Sequence, residues 1–287
     1  MQKNLIMNDM ENTVYKNFGF IEPITSPDDY VFGAGNVQSE ILQENGQWDE
    51  YLPKDETQLF KDRTDTYNCT AYGTLNCLEV LFRRLFNTPA EYSERFTGIV
   101  AGTKPPGNSP QTVIQSIRKN GLLADSILPF DDSIKNIDEY YSPNPMTGYY
   151  LNLAHKFIED YEIFHEWVGN SNEEIKEALK YSPLGVSVYA WVIDPDGLYM
   201  RPKGYLDTHW VCLYGYEDGK YWKVFDSADN THKKLRWDFG FSYCKRYNIS
   251  RKGSSGQLSL MKQILDFMYQ ILSTIQKNIG KIFKKVV

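Results

Sequence analysis

The chain has 287 residues, long enough to bury a full hydrophobic core without disulfide or metal staples. With 31 Lys and Arg against 37 Asp and Glu, a net charge of −6, it lacks the basic footprint of a nucleic-acid binder. Four cysteines, Cys69, Cys77, Cys212 and Cys244, have neither metal-ligand spacing nor the density of a disulfide scaffold, so they read as reduced thiols, with no metal or cofactor expected.

Met1 to Asn12 carries charges and has no unbroken apolar stretch, and nothing reaches the roughly 20 apolar residues of a membrane span. Neither a signal peptide nor a transmembrane helix is expected, which favours a cytoplasmic location. Residues 1–50 are short pieces broken by Pro23, Pro27 and Gly33-Ala34-Gly35, and predict an extended arm lying on the body. The body spans 51–250. In it, Asn68 leads into a segment whose apolar residues Ala71, Leu75, Leu78, Phe82 and Leu85 recur every three or four positions, predicting an amphipathic helix over about 69–87 with Cys69 at its start. Free N–H groups and the positive end of the helix dipole favour an anion there, so the Cys69 thiol is a candidate nucleophile.

A breaker-rich loop follows, Gly102 to Pro110, whose Ser109 and Pro110 suit the cap and first residue of a helix carrying Val113, Ile114 and Ile117 and stopping at Asn120-Gly121. Further helices are expected around 150–168 and, capped by Asn170 or Ser171, through Glu173–Leu179. From Leu184 the texture becomes short alternating segments: 185–191, 208–216, 221–225 and 235–247, with Asp218-Gly219-Lys220 as a hairpin turn. Helices first and antiparallel strands second make an α+β domain. After a linker at 251–257, residues 258–287 carry a heptad-like stripe from Leu258 to Val286. Lys262, Lys277, Lys281, Lys284 and Lys285 stand there against Asp266 alone. A C-terminal amphipathic helix of this kind suits an anionic membrane surface or docking into a protein assembly.

Four histidines shorten the search for a base. His155 and His165 fall in the helical middle and His232 in a polar turn, whereas His209 opens the β-type run His209-Trp210-Val211-Cys212-Leu213-Tyr214-Gly215-Tyr216. In a hairpin the residue leaving the second strand returns beside the one entering the first, so Asp226 falls next to His209. Taken alone, Cys69 suits a buried apolar residue, His209 suits packing and Asp226 suits a turn. Together they supply a nucleophile, a base and an orienting carboxylate.

At these positions the sequence resembles the papain-like cysteine peptidases over roughly residues 50–250. The family's nucleophile context is echoed by Cys69-Thr70-Ala71-Tyr72, its histidine strand by His209 to Tyr216, and its third member by Tyr221-Trp222-Lys223-Val224-Phe225-Asp226-Ser227. The resemblance implies a papain-like fold, cysteine endopeptidase activity on protein or peptide substrates, and a Cys69, His209, Asp226 triad. It also implies substrate contacts from Gly107, Asn108 and Ser109 and from Thr208 ahead of the histidine. The family's oxyanion glutamine spacing lands on Arg63, so the nearest upstream glutamine, Gln58, takes that role. Asp226 replaces the usual Asn, and Ala228 removes the indole that normally shields the pair. About 50 residues precede the body, too few for the family's long inhibitory propeptide, leaving activity unregulated or the arm crossing the cleft. The arm's style also resembles peptidase-like phage proteins. The alternatives are a virion-associated structural component docked through 258–287, or the same thiol chemistry aimed at a peptidoglycan crosslink or isopeptide bond.

Overall fold

The computed structural model describes residues 17–26, 29–35, 40–53 and 56–253. The expected linker at 251–257 is covered only as far as Gly253, and the helix expected at 258–287 lies outside the described residues.

Among the described residues are six α-helices, α1 (Cys69–Phe86), α2 (Glu94–Val100), α3 (Pro110–Asn120), α4 (Ile137–Tyr140), α5 (Gly148–Asp160) and α6 (Asn172–Leu179). Eight strands form one sheet: β1 (Tyr161–Val168), β2 (Leu184–Val188), β3 (Val192–Ile193), β4 (Tyr199–Met200), β5 (His209–Glu217), β6 (Tyr221–Asp226), β7 (Thr231–Arg236) and β8 (Cys244–Arg251). Their order across the sheet is β1-β8-β2-β5-β6-β7-β4-β3. All pairs are antiparallel except β4 with β7. The architecture is α+β.

Local chemistry explains most boundaries. Ser109 accepts from the Thr112 amide and Pro110 opens α3, which stops at Gly121 with φ 80°. Ser171 and Glu174 form a reciprocal capping box on α6. Two expectations need correction. The helix expected over 150–168 ends at Asp160, because Tyr161 to Val168 pairs residue for residue with β8, from Tyr161 opposite Arg251 to Val168 opposite Cys244. Aromatic and β-branched residues gain more from that cross-strand packing than from another two turns of helix. The strand expected over 235–247 is two strands, β7 and β8, broken around Gly240 with φ 69°.

Helix α1 is also less amphipathic than its spacing suggests, since every residue from Cys69 to Phe82 is buried. It runs through the middle of the molecule, with β5 and β8 on one side and α2 and α3 on the other. Leu75, Leu78, Ile114, Ile117, Val186, Val211, Leu213 and Trp222 join one continuous core between sheet and helices.

The N-terminal segment winds round this body. Trp48 is fully buried and donates through Nε1 to the Leu179 carbonyl, while its amide donates to Tyr214. Phe32 and Trp167 exchange backbone bonds with each other's neighbourhood, Phe32 N–H to the Trp167 carbonyl and Trp167 N–H to the Tyr30 carbonyl. This covers the outer edge of β1. No helix among the described residues is long and apolar enough to cross a membrane.

Candidate active site

Gly73 lets α1 approach the sheet, and Gly185 on β2 makes room for the Trp210 ring between them. A Cβ at Gly73 would lie 2.9 Å from the Trp210 carbonyl oxygen, and one at Gly185 would lie 2.5 Å from the Trp210 ring. Cys69, one turn ahead of Gly73 on the same helix face, is thereby brought to the start of β5. It lies in a buried cluster with Trp210, Phe18, Phe20, Ala190 and Ala228. Burial pushes the thiol well above its ordinary range and the nearby Asp65 and Asp226 carboxylates add to the effect, while the backbone amides of Trp210 and Thr70 oppose them. Helix position alone predicts easier ionisation, but in this enclosed state desolvation outweighs the dipole.

Hairpin geometry brings the imidazole and carboxylate together. β5 and β6 turn through Asp218 and Gly219, with a bulge between Leu213 and Gly215. His209 Nε2 lies 2.6 Å from Asp226 Oδ1, and both side chains are fully buried. Nδ1 of the same ring is buried with no hydrogen-bond partner. Asp226 Oδ1 also accepts from the Ala228 amide at 2.9 Å, and Oδ2 accepts from Trp191 Nε1 at 2.8 Å and from Lys233 Nζ at 2.7 Å. Burial alone would raise the Asp226 carboxyl, but the His209 imidazole and the Lys233 ammonium overcome it and hold it below the usual carboxylate range.

Trp191 and Lys233 are site residues that sequence reasoning missed. The Trp191 ring stands edge-on to the His209 ring at 6.1 Å, so an indole reaches the pair from the segment after β2 although residue 228 is alanine. Lys233 had a legible signal, because strand alternation puts it on the same face as the buried Leu235. The other histidines lie elsewhere. His165, expected on a helix, is on β1, where burial pushes it down to about 3. His155 is on α5, and His232 packs on Tyr214 and Phe225.

The remaining expected residues meet the arm. Phe18 N–H donates to the Thr208 carbonyl, and the Phe18 ring lies 4.9 Å from the His209 ring. Gln58 Nε2 spends its two hydrogens on the Phe18 carbonyl at 3.1 Å and Asp65 Oδ1 at 3.0 Å, while its Oε1 accepts from Ser227 Oγ. Asn108 N–H donates to the Gly19 carbonyl and its own carbonyl accepts from Ile21 N–H. Gly107, with φ 138°, packs so closely that a Cβ would lie 2.0 Å from the Gly19 oxygen. Ser109 caps α3 through its side chain. Thr208, Gln58 and Asn108 therefore bond the backbone of residues 18–21, and the Phe18 ring packs against His209 and in the cluster of Cys69.

Carboxyls also gather away from the groove. Glu56, Glu79 and Glu94 bring oxygens within 4.8 Å of one another. Burial raises all three carboxyls, Glu56 to about 8.

Solved structures share the architecture. Xylellain, a cysteine protease from Xylella fastidiosa, superposes with a TM-score of 0.54 at 16% identity over 83% of this chain and 96% of its own. A digestive procathepsin L 3 from the larval midgut of Tenebrio molitor gives 0.54 at 12% identity over 83% and 78%. The fold is papain-like. Bromelain from Ananas comosus shares the papain-like fold too, with a TM-score of 0.50 at 16% identity over 71% of this chain and 96% of its own. No protein-family model matches the sequence, and no curated protein does. Identities this low carry the papain-like architecture and not the residues of the site.

Proposed function

We propose that this chain is a cysteine peptidase whose groove is closed by its own N-terminal arm. The observation that carries the proposal is the His209 imidazole: Nε2 is fixed on Asp226, and Nδ1 is buried without a hydrogen-bond partner, its ring against Phe18, which packs in the same cluster as Cys69. In the reaction Nδ1 takes the Cys69 proton and the sulfur attacks the scissile carbonyl carbon. The developing oxyanion is held by Gln58 Nε2 and the Cys69 N–H, a role Gln58 assumes when the Phe18 carbonyl leaves it. The imidazolium protonates the leaving amine, giving a thioester. A water deprotonated by His209 then attacks the thioester and releases the acid and the free thiol. Asp226 holds the ring throughout in the tautomer that leaves Nδ1 free to take and return the proton.

The arm supports a substrate made of polypeptide. Phe18 bonds Thr208 through its N–H and Gln58 through its carbonyl, and Asn108 bonds Gly19 and Ile21, so the groove is lined with groups that recognise an extended backbone. The test is labelling of the full-length protein with an epoxide thiol inactivator at neutral pH, mapped by peptide. His209-dependent labelling of Cys69 alone is expected. Labelling spread over Cys69, Cys77, Cys212 and Cys244, unchanged by His209→Ala, would refute the proposal.

A further inference from the structure

The geometry points to Lys233 as a positioning residue that offsets the charge of Asp226 and so sets how strongly the carboxylate holds a proton on His209. This inference rests on the peptidase proposal and deepens it. Three protons of the Lys233 ammonium meet three acceptors, Asp226 Oδ2 at 2.7 Å, Asp229 Oδ1 at 2.5 Å and Thr231 Oγ1 at 2.6 Å. Its side chain is 2% exposed, and the Trp191 and Tyr199 rings lie 5.2 and 5.7 Å from the nitrogen. A buried lysine held this tightly is fixed in position and shielded from screening.

The resemblance drawn from sequence gives the third residue of such a site as asparagine, an uncharged acceptor. Here it is aspartate. A bare carboxylate 2.6 Å from a buried imidazole would stabilise the imidazolium strongly, and a base that will not release its proton cannot return it to a leaving amine. Lys233, shared with the more exposed Asp229, offsets part of that charge from the far oxygen while leaving Oδ1 to orient the ring, so Asp226 acts on His209 as a weaker anion than a bare carboxylate. The titratable groups facing this set are Cys69 on α1, Asp65 ahead of it, Asp226 on β6, and Asp229 and Lys233 in and after the β6–β7 turn. Phe18 and Trp191 face it with uncharged rings.

The test is an imidazole NMR titration of the full-length protein labelled at histidine, with the His209 signals assigned by their loss in His209→Ala. Lys233→Met should move the His209 midpoint up by about one pH unit or more, the size of an unscreened charge a few ångströms away. Asp226→Asn should move it down, and adding Lys233→Met to Asp226→Asn should raise it again towards wild type. If Lys233→Met does not fold, the comparison between Asp226→Asn and the double variant decides the question alone. Midpoints that ignore residue 233 in both backgrounds overturn the inference and leave Lys233 a structural ion pair. This readout needs no turnover, so a failed peptidase proposal would show separately, as an unreactive Cys69 in the labelling experiment.

Discussion

Gly19→Ala tests whether the arm is a plug. Gly19 has φ 109°, a conformation that L side chains rarely adopt, and its missing Cβ would lie 2.2 Å from the Tyr67 carbonyl oxygen and 2.3 Å from the carbonyl carbon. Those atoms are backbone and cannot swing aside. On the other side, the Gly19 carbonyl fills the space of a Cβ at Gly107, so the segment cannot retreat that way either. Strain at such a position costs about 1–3 kcal/mol before any overlap is counted. Taking about 2–3 kcal/mol against the docked arm, the open population rises roughly thirty- to a hundredfold, since about 1.4 kcal/mol is a factor of ten. Gly19 contributes no side chain to the proposed chemistry, so the freed groove keeps its catalytic groups. The assay is the second-order rate of Cys69 alkylation by iodoacetamide in the full-length protein, with thermal unfolding alongside. A tens-fold rise with little change in Tm is expected. An unchanged rate in a folded variant would refute the plug, and a large fall in Tm without faster labelling would make the arm a piece of the scaffold instead.

Three other outcomes are expected. Glu56 has both carboxyl oxygens buried and is pushed up to about 8, so between pH 4.5 and 8 the folded state binds a proton that the unfolded state has lost. Stability therefore falls with rising pH across that window, by about 1.4 kcal/mol per unit at most for one group, and Glu56→Gln should flatten the slope of Tm against pH. Lys245 works with the opposite sign: burial lowers it to about 7 and the unfolded side chain stays protonated to about 10.5. Stability gained between those values should disappear in Lys245→Met, which urea melts at pH 7 and 9 will show. Trp191→Phe keeps a ring beside His209 but removes the Nε1 donor to Asp226, and should cost about 1–3 kcal/mol by denaturant unfolding with a smaller effect in an Asp226→Asn background.

What the sequence revealed was local. Ser109-Pro110, Ser171 to Glu174 and Asp218-Gly219 announce caps and a turn because the groups that satisfy one another lie within four residues. The meeting of His209 with Asp226 was legible for the same reason, as hairpin arithmetic over one turn. The failures were non-local. Tyr161 to Val168 reads as the end of a helix until β8 arrives some 80 residues later to pair with it. Trp191 and Lys233 come to Asp226 from two different segments, and the strand alternation that marks Lys233 as inward-facing does not say which carboxylate it meets. Gln58 was reached only through the resemblance, and that its amide is already engaged by Phe18 depends on a segment 40 residues upstream. Ionisation of Cys69 was misjudged because helix position is local whereas burial belongs to the whole fold.

Trp48, buried in the core and bonded to Leu179, has a consequence for how the groove is opened. It tethers the arm at a fixed point, and Ile24, between tether and groove, is 91% exposed. A blocker joined to its target in this way acts at an effective concentration of the millimolar order, whatever the amount of protein in solution, so dilution leaves the groove closed. A single cut near Ile24 would turn that intramolecular contact into a bimolecular one. Trp48 would stay in the core, and the piece carrying Phe18 would be free to diffuse away.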